Sequence, residues 1–472
     1  MSTARPNIVF ILTDDQAPWT LGAEGHPNAC TPRLDGLAAG GVRLERMFAN
    51  AAICSPSRAT LLTGRYPTET GFGPDGCVYI EDEARSLHPE LPSWPALLRE
   101  AGYHTALIGK WHLGHARDAQ LPTARGYERF RGWLVGGERS RDPRIQIDGA
   151  WRDFPGRYTP DVLTDLALET IRDWRDQPFA LSLHYWAPHA NVGFPEGYTP
   201  PHDDRTWLPL QDQDLAPWAT RDLAIPNPDF PNLDRERIGR MAREYHASVH
   251  SVDRNVGRVL DLLDELGLAE NTLVVFTSDQ GYNLGHNGIW HKGNGRWITR
   301  DRRDPRGVYP GPHRPNLYDN SMRVPCLLRW PARLPAGTVD ARPASFLDWL
   351  PTLLGAAGVT PPADLTVRGR NLLPRYAPGG DALDGDARVY AQHDCLRCCR
   401  TARWKYIFNA LPGQPDELYD LAADPEEHRN LLDGDLAPDA AAAHADLKND
   451  VRHWMDSIAD PLRTQTHPTS RA

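Results

Sequence analysis

The chain is 472 residues long, with 40% hydrophobic and 24% charged residues, 43 prolines and 39 glycines. That length suits one large α/β domain plus a smaller one, and the composition is that of a loop-rich globular protein, not of a disordered or fibrous chain. A formal net charge of -10, with no block of basic residues, argues against a nucleic-acid partner and means that an anionic substrate would need a locally positive pocket.

No apolar run approaches the roughly 20 residues that span a bilayer. The first strand-like segment begins within the opening few residues, leaving no room for a secretory leader, and no membrane location is expected. Seven scattered cysteines favour a reduced cytoplasmic protein over a disulfide scaffold.

In chain order, Asn7 to Thr13 (NIVFILT) reads as a buried parallel strand and is followed at once by Asp14-Asp15. Adjacent carboxylates repel unless a cation lies between them, and hard divalent cations take such ligands. Acids at a strand-to-loop junction also serve as turn and cap residues. In AICSPSRATLLTG, Ser55 followed by Pro56 predicts a helix start, which sets Cys54 at a positive helix terminus beside Arg58. Cys54 taken alone fits either a plain buried thiol or a low-pKa thiolate.

A helix is expected over Pro92 to Ala101, and then GYHTALIGKWH (Gly102 to His112) reads as a strand whose alternation would turn Lys110 and His112 to one face. A surface lysine and a hydrogen-bonded histidine would give the same pattern. After a helix over Asp161 to Arg175, the apolar run FALSLHYW leads to His189, which suits a structural or a functional role. The segment from Pro195 to Pro231 is expected to be a lid-like or surface insertion. A helix over Arg237 to Leu266 precedes the strand Thr272 to Thr277 (TLVVFT), which runs into Ser278-Asp279-Gln280-Gly281. There a carboxylate and an amide carbonyl could hold a hard cation, and Gly281 would permit a tight turn. His286, His291 and Lys292 follow, the two histidines without an assigned role.

Strands alternating with helices predict an α/β sheet with covered faces and a ligand site beyond the carboxyl ends of its strands. The Pro-rich stretch from Pro361 to Pro378 marks the boundary, placing a catalytic domain at 1–370 and an α+β subdomain at 371–472. The latter would hold strands at Val389 to Gln392 and Trp404 to Asn409 and a helix over Ala440 to Ile458. Cys395, Cys398 and Cys399, with His393 close by, could indicate a zinc-binding module; three thiols in a strand-rich tail favour packing instead.

Two of these segments carry a family resemblance. AICSPSRATLLTG resembles the signature around the C-x-P-x-R modification motif of the type I, formylglycine-dependent sulfatases, and GYHTALIGKWH resembles their second signature. The likeness continues through NIVFILTDDQ, TPRLDGLAAGGVRL, APHAN, SDQG, YDNSMRVP and LYDLAADPEEHRNL, covering nearly the whole chain. It implies an alkaline phosphatase-like mixed sheet flanked by helices, with a smaller C-terminal α+β subdomain, and hydrolysis of a sulfate ester to alcohol and inorganic sulfate.

The resemblance further implies that a formylglycine-generating enzyme converts Cys54, and that one divalent cation per chain, usually calcium, is held by Asp14, Asp15, Asp279, Gln280 and the hydrated residue 54. Arg58 matches the arginine that orients the hydrate. Lys110, His189 and Lys292 match groups that bind sulfate and assist the leaving group, and His112 matches the base for sulfate elimination. Gln280 departs from the Asn or His of many members but keeps an amide oxygen. Sulfated saccharides and small aryl sulfates both fit as substrates. The alternative is a phosphonate monoester hydrolase or phosphodiesterase of the same superfamily, since some of these also use formylglycine.

Overall fold

A strand built on the unbroken run IVFIL has no solvent face to offer, and in the computed structural model Asn7–Thr13 (β1) is buried along its length at the centre of a ten-stranded sheet. The structure describes residues 5–73, 76–78, 85–190, 212–305, 307–309, 311–377, 380 and 387–464. The other strands of the sheet are Val42–Leu44 (β2), His104–Lys110 (β3), Arg129–Trp133 (β4), Arg144–Ile147 (β5), Ala150–Asp153 (β6), Phe179–His184 (β7), Thr272–Ser278 (β8), Cys326–Arg329 (β9) and Thr338–Asp340 (β10). They lie in the order β10-β2-β9-β8-β1-β7-β3-β4-β5-β6. The central strands β8, β1, β7, β3 and β4 are parallel, and antiparallel pairings at β9 and β5 make the sheet mixed.

Alternation along β1 sorts its side chains between two helical layers. Ile8, Phe10 and Leu12 join the cluster that includes Leu61 of helix Cys54–Thr63, Trp94 of helix Trp94–Glu100 and Leu353 of helix Trp349–Ala357. Val9 and Ile11 join Leu37 of helix Pro32–Ala39, Val162 of helix Thr159–Asp173 and Val256 of helix Arg235–Glu265. In chain order the first two helices are α1 (Pro32–Ala39) and α2 (Cys54–Thr63). The 31-residue helix Arg235–Glu265 begins where the Asp234 side chain accepts a hydrogen bond from Arg237 N, a cap that sets its start. Among the described residues no helix is long and apolar enough to cross a membrane.

The expected insertion from Pro195 to Pro231 lies outside the described residues as far as position 211. Its remainder, 212–231, is surface chain, exposed or half-buried except at Asp214 and Trp218, and the Trp218 indole N–H pins it by donating to the Asn28 carbonyl at 2.8 Å. A large aromatic with its polar atom satisfied anchors that segment.

The C-terminal strands Val389–His393, Leu396–Arg400, Trp404–Asn409 and Glu417–Asp420 form an antiparallel sheet in chain order. One face, with Cys399, Tyr406 and Leu418, packs on helix Pro438–Ser457 through Leu447, Val451 and Trp454. The other, with Cys398, Ile407 and Tyr419, packs on Phe48, Ala52, Ile289 and Leu317. Period-two alternation therefore sends Cys398 and Cys399 to opposite faces, which does not suit a shared zinc ion.

This sheet also touches the chain leading to Cys54: Gln392 N donates to the Asn50 carbonyl at 2.9 Å, and Ala51 and Gln392 form a β-bridge. Beside it, the guanidinium of Arg397 meets Asp460 at 2.6 and 3.1 Å, both side chains fully buried. Asp460→Ala would strand that cation and is expected to destabilise the protein by about 3–5 kcal/mol. Chemical denaturation of wild type and variant measures it, and an unchanged midpoint would contradict the expectation.

Candidate active site

Because β1 and β8 are adjacent and parallel, with Thr13 opposite Ser278, their acids emerge at the same level. Asp14 and Asp15 leave the end of β1, and Asp279 and Gln280 leave the end of β8. The Asp279 N–H donates to the Thr13 carbonyl at 2.9 Å, and the Asp15 N–H to Asp279 Oδ1 at 3.3 Å. Asp15 has φ 63°, a left-handed conformation that Asp tolerates better than most residues. The Tyr245 hydroxyl holds it there by donating to the Asp15 carbonyl at 2.5 Å. Gly281 does not have a positive φ; it is needed because a Cβ would overlap the Asn320 carbonyl oxygen.

Cys54 is the first residue of α2, one residue earlier than the Ser-Pro pair alone indicates. Its sulfur is 3.4 Å from Asp14 Oδ1 and accepts from Lys292 Nζ at 2.9 Å. Arg58, one turn on, donates to Asp279 Oδ2 at 2.8 Å, to the Lys110 carbonyl at 3.2 Å and to Asp14 Oδ2 at 3.4 Å. Lys110 Nζ donates to Asp14 Oδ2, and Lys292 Nζ to Asp15 Oδ1 at 2.5 Å.

Strand alternation does not explain His112: β3 ends at Lys110, and His112 has φ 60°. The chain keeps pairing through Trp111 N to the Trp133 carbonyl and His112 N to the Leu134 carbonyl, then turns. The ring arrives against Cys54 by that turn. His112 Nε2 lies 3.0 Å from the Val78 carbonyl, and its buried Nδ1 meets no other nitrogen or oxygen, the Cys54 sulfur being the ring's remaining partner. A carbonyl partner requires the hydrogen on Nε2, which leaves the Nδ1 lone pair open. Burial lowers the His112 pKa to about 4, helped by Lys110 and Arg58.

His189, beyond β7, stacks on Trp186, accepts no proton at Nδ1 because that atom donates to the Ala190 carbonyl at 2.7 Å, and brings Nε2 to 3.5 Å from Asp15 Oδ2. Burial, then Lys292, lowers its pKa to about 4. Lys292 follows the short strand Ile289–His291. Burial opposes its charge, but Asp15, Cys54 and Asp14 outweigh burial and raise its pKa well above the ordinary lysine value. His291 touches the same group through a T-shaped contact with His189, ring centroids 6.4 Å apart, whereas His286 packs against Trp19.

The residues present fit a divalent cation. Asp14, Asp15, Cys54 and His189 each offer one ligand atom, all within 4.8 Å of one another. Asp15 Oδ2 and Gln280 Oε1 are buried without a hydrogen-bond partner, a costly state for polar oxygen. Gln280 Nε2 meanwhile donates to Asp15 Oδ1 and, at 3.4 Å, to Asp14 Oδ1; turning the amide over would present its oxygen to the same place. Burial, together with Asp14, pushes the carboxyls of both Asp15 and Asp279 well above the carboxylate range despite the nearby lysine and arginine. The pocket thus holds more carboxylate than its own cations support. Asp279, however, faces Arg58 and the Asp15 backbone.

Two residues at the site carry no signal in the sequence. Tyr245 reaches it from mid-helix, and Cys77 forms a thiol hydrogen bond with Cys54.

Carboxylates at parallel strand ends thus face a helix terminus that carries Cys54 and fixed cations, and the chain is a hydrolase of the alkaline phosphatase-like superfamily. The sulfatase family model matches residues 6–359, and the model for the C-terminal region of N-sulphoglucosamine sulphohydrolase matches residues 313–456. The chain belongs to the sulfatase family, and its activity is hydrolysis of sulfate esters. An N-acetylglucosamine-6-O-sulfatase of Bacteroides thetaiotaomicron is 28% identical over 91% of this chain and 83% of its own length. A steryl-sulfatase of Mus musculus is 30% identical over 98% of this chain and 83% of its own. A solved structure in complex with its substrate D-glucosamine-2-N,6-O-disulfate superposes with a TM-score of 0.74 at 25% identity, covering 98% of this chain and 100% of that one.

Proposed function

We propose that this sulfatase acts on a sulfated saccharide, with formylglycine at position 54 as nucleophile and calcium as the cation. The observation that carries the site assignment is the Cys54 sulfur, set at the start of α2 between Lys292 Nζ at 2.9 Å and Asp14 at 3.4 Å. Asp14, Asp15, Gln280 and residue 54 would hold the cation, with Asp279 joining them when its carboxylate is shared with Arg58. When bound, the cation withdraws charge from the sulfate oxygens. The hydrated aldehyde supplies an attacking hydroxyl and a second hydroxyl for release.

The chain's own groups then divide the work. Lys110 and Lys292 receive the negative sulfate oxygens, and Arg58, fixed against Asp279 and Asp14, keeps a permanent charge behind residue 54. His112, neutral with Nδ1 open, takes a proton from the atom at position 54. Proton delivery to the leaving alcohol falls to Lys292 Nζ, or to His189 Nε2 once His189 is protonated, both beside Asp15. Residues 1–370 form the catalytic part and 371–472 the subdomain that braces the loop before Cys54.

The base role of His112 gives a kinetic expectation. His112→Ala should lower kcat by about 10²–10⁴-fold and lower KM with it as covalently sulfated enzyme accumulates, measured at equal formylglycine content. Loss confined to KM would assign His112 to binding.

The saccharide reading is supported by the N-acetylglucosamine-6-O-sulfatase relative and by the glucosamine disulfate complex. Its test is kcat/KM on 6-O-sulfated hexosamines, a steryl sulfate, an aryl sulfate and a phosphonate monoester with the same aryl leaving group. The sulfated hexosamines should lead. A preference for the steryl or aryl sulfate would overturn the saccharide assignment, and a preference for the phosphonate would favour the superfamily alternative.

A further inference from the structure

Cys77 belongs to none of the motifs, yet its neighbours fix its place. The Val78 N–H donates to Ser55 Oγ at 3.0 Å, while the Val78 carbonyl lies 3.0 Å from His112 Nε2. Ser55 Oγ in turn donates to the His112 carbonyl at 2.7 Å. Residues 76–78 are thereby tied across the start of α2. This seats the Cys77 thiol in a hydrogen bond with the Cys54 sulfur, and the Ser55 backbone N–H on Cys77 itself. Cys54 is 3% exposed, Cys77 is partly open to solvent, and both are free cysteines.

The two sulfurs are unlike. The Cys54 sulfur stands at the first residue of α2 and accepts from the Lys292 ammonium at 2.9 Å. Cys77 is hydrogen-bonded to that sulfur and stays partly open to solvent. A sulfur held by an ammonium is the nucleophilic one toward peroxide, and a second thiol hydrogen-bonded to it is placed to resolve the product.

The geometry points to a peroxide-responsive disulfide pair, Cys54 and Cys77, in chains whose Cys54 has not been converted to formylglycine. The Cys54 sulfur attacks a hydroperoxide oxygen, the O–O bond breaks, and the departing hydroxide takes a proton from solvent to become water. The Cys77 sulfur then attacks the sulfur of the Cys54 sulfenic acid. An S–S bond forms, the S–O bond breaks, and the oxygen leaves as water with the Cys77 proton. Two thiols lose two electrons and one peroxide gains them. The disulfide intercepts the irreversible sulfinic stage and holds the unconverted position in a form that a dithiol can restore. A converted chain has no sulfur at residue 54 and takes no part.

The test uses full-length protein made without a formylglycine-generating enzyme, with an intact Cys54 verified by mass. The native protein is treated with hydrogen peroxide, alkylated with iodoacetamide and digested with trypsin without reduction. The expected result is a disulfide-linked pair of the peptides 47–58 and 66–85, lost on treatment with dithiothreitol. Cys77→Ser and Cys77→Ala should lose the pair, bind dimedone at Cys54, and progress to sulfinic acid there. Wild-type protein with sulfinic Cys54 beside a freely alkylated Cys77 would overturn the proposal, as would a linked pair seen only after denaturation in urea. The wild-type readout stands even if a Cys77 variant folds poorly. The pair needs only the sulfur at residue 54, so failure of the sulfate-ester reading would show in turnover after conversion and leave this result untouched.

Discussion

Cys54→Ala is expected to abolish turnover, a loss on the order of 10⁵–10⁶-fold by analogy with removal of other covalent nucleophiles. The reason is chemical. A thiol at this position is well activated by Lys292, but a sulfate on sulfur has no neighbouring hydroxyl to expel it, so the unconverted site lacks a release step. In active protein the tryptic peptide Met47–Arg58 should show sulfur replaced by oxygen with loss of two hydrogens. Specific activity should rise in proportion to that converted fraction, and Cys54→Ser should be inactive or stop after one transfer unless the host converts serine. Full activity in protein whose residue 54 is wholly cysteine would reject the mechanism.

Removal of the divalent cation should have the next largest effect. Asp14, Asp15 and Asp279 crowd one buried pocket, and the unpartnered oxygens of Asp15 and Gln280 face no donor. Chelation should eliminate turnover and lower the melting temperature, and calcium should restore both, because a ligand that binds only the folded chain stabilises it by mass action. Asp15→Ala should lose the calcium-dependent rise in melting temperature along with activity. Gln280→Asn, which keeps an amide oxygen on a shorter arm, should retain more activity than Gln280→Leu. Full turnover in verified metal-free protein, or equal loss in the two Gln280 variants, would count against this ligand set.

Much of the site is legible in the sequence because it is built from local signals at strand and helix ends. NIVFIL followed by two aspartates, TLVVFT followed by Ser-Asp-Gln, and Cys-Ser-Pro-Ser-Arg each announce both an element and the polar group it delivers. Register in a parallel sheet then brings them to one level, as Thr13 opposite Ser278 shows. His112 was harder, since the strand stops at Lys110 and a left-handed residue re-aims the ring; alternation is the wrong rule beyond the last strand residue. Cys77 was invisible because three hydrogen bonds from Ser55 and His112, distant in sequence, set its place. Trp218 was misleading in another way. The Pro-rich segment around it reads as surface and 212–231 largely is, whereas the burial of this one indole under the Asn28 carbonyl depends on a partner 190 residues away. The thiols at 398 and 399 look like a cluster on paper, and only the pleat of the strand separates them.

The bracing of the Cys54 loop by the C-terminal sheet also sets a clock. The segment leading to Cys54 takes its place with β8 beside β1 and Gln392 against Asn50 and Ala51, and Gln392 leaves the ribosome about 340 residues after Cys54. At about 5–20 residues per second that delay is roughly 20–70 s. Cys54 is almost wholly enclosed once folding finishes, so the converting enzyme proposed for this chain would have that interval, while the chain is still growing, as its opening. Faster translation, or a host poor in the converting enzyme, should therefore leave a larger fraction of chains folded around an unaltered thiol.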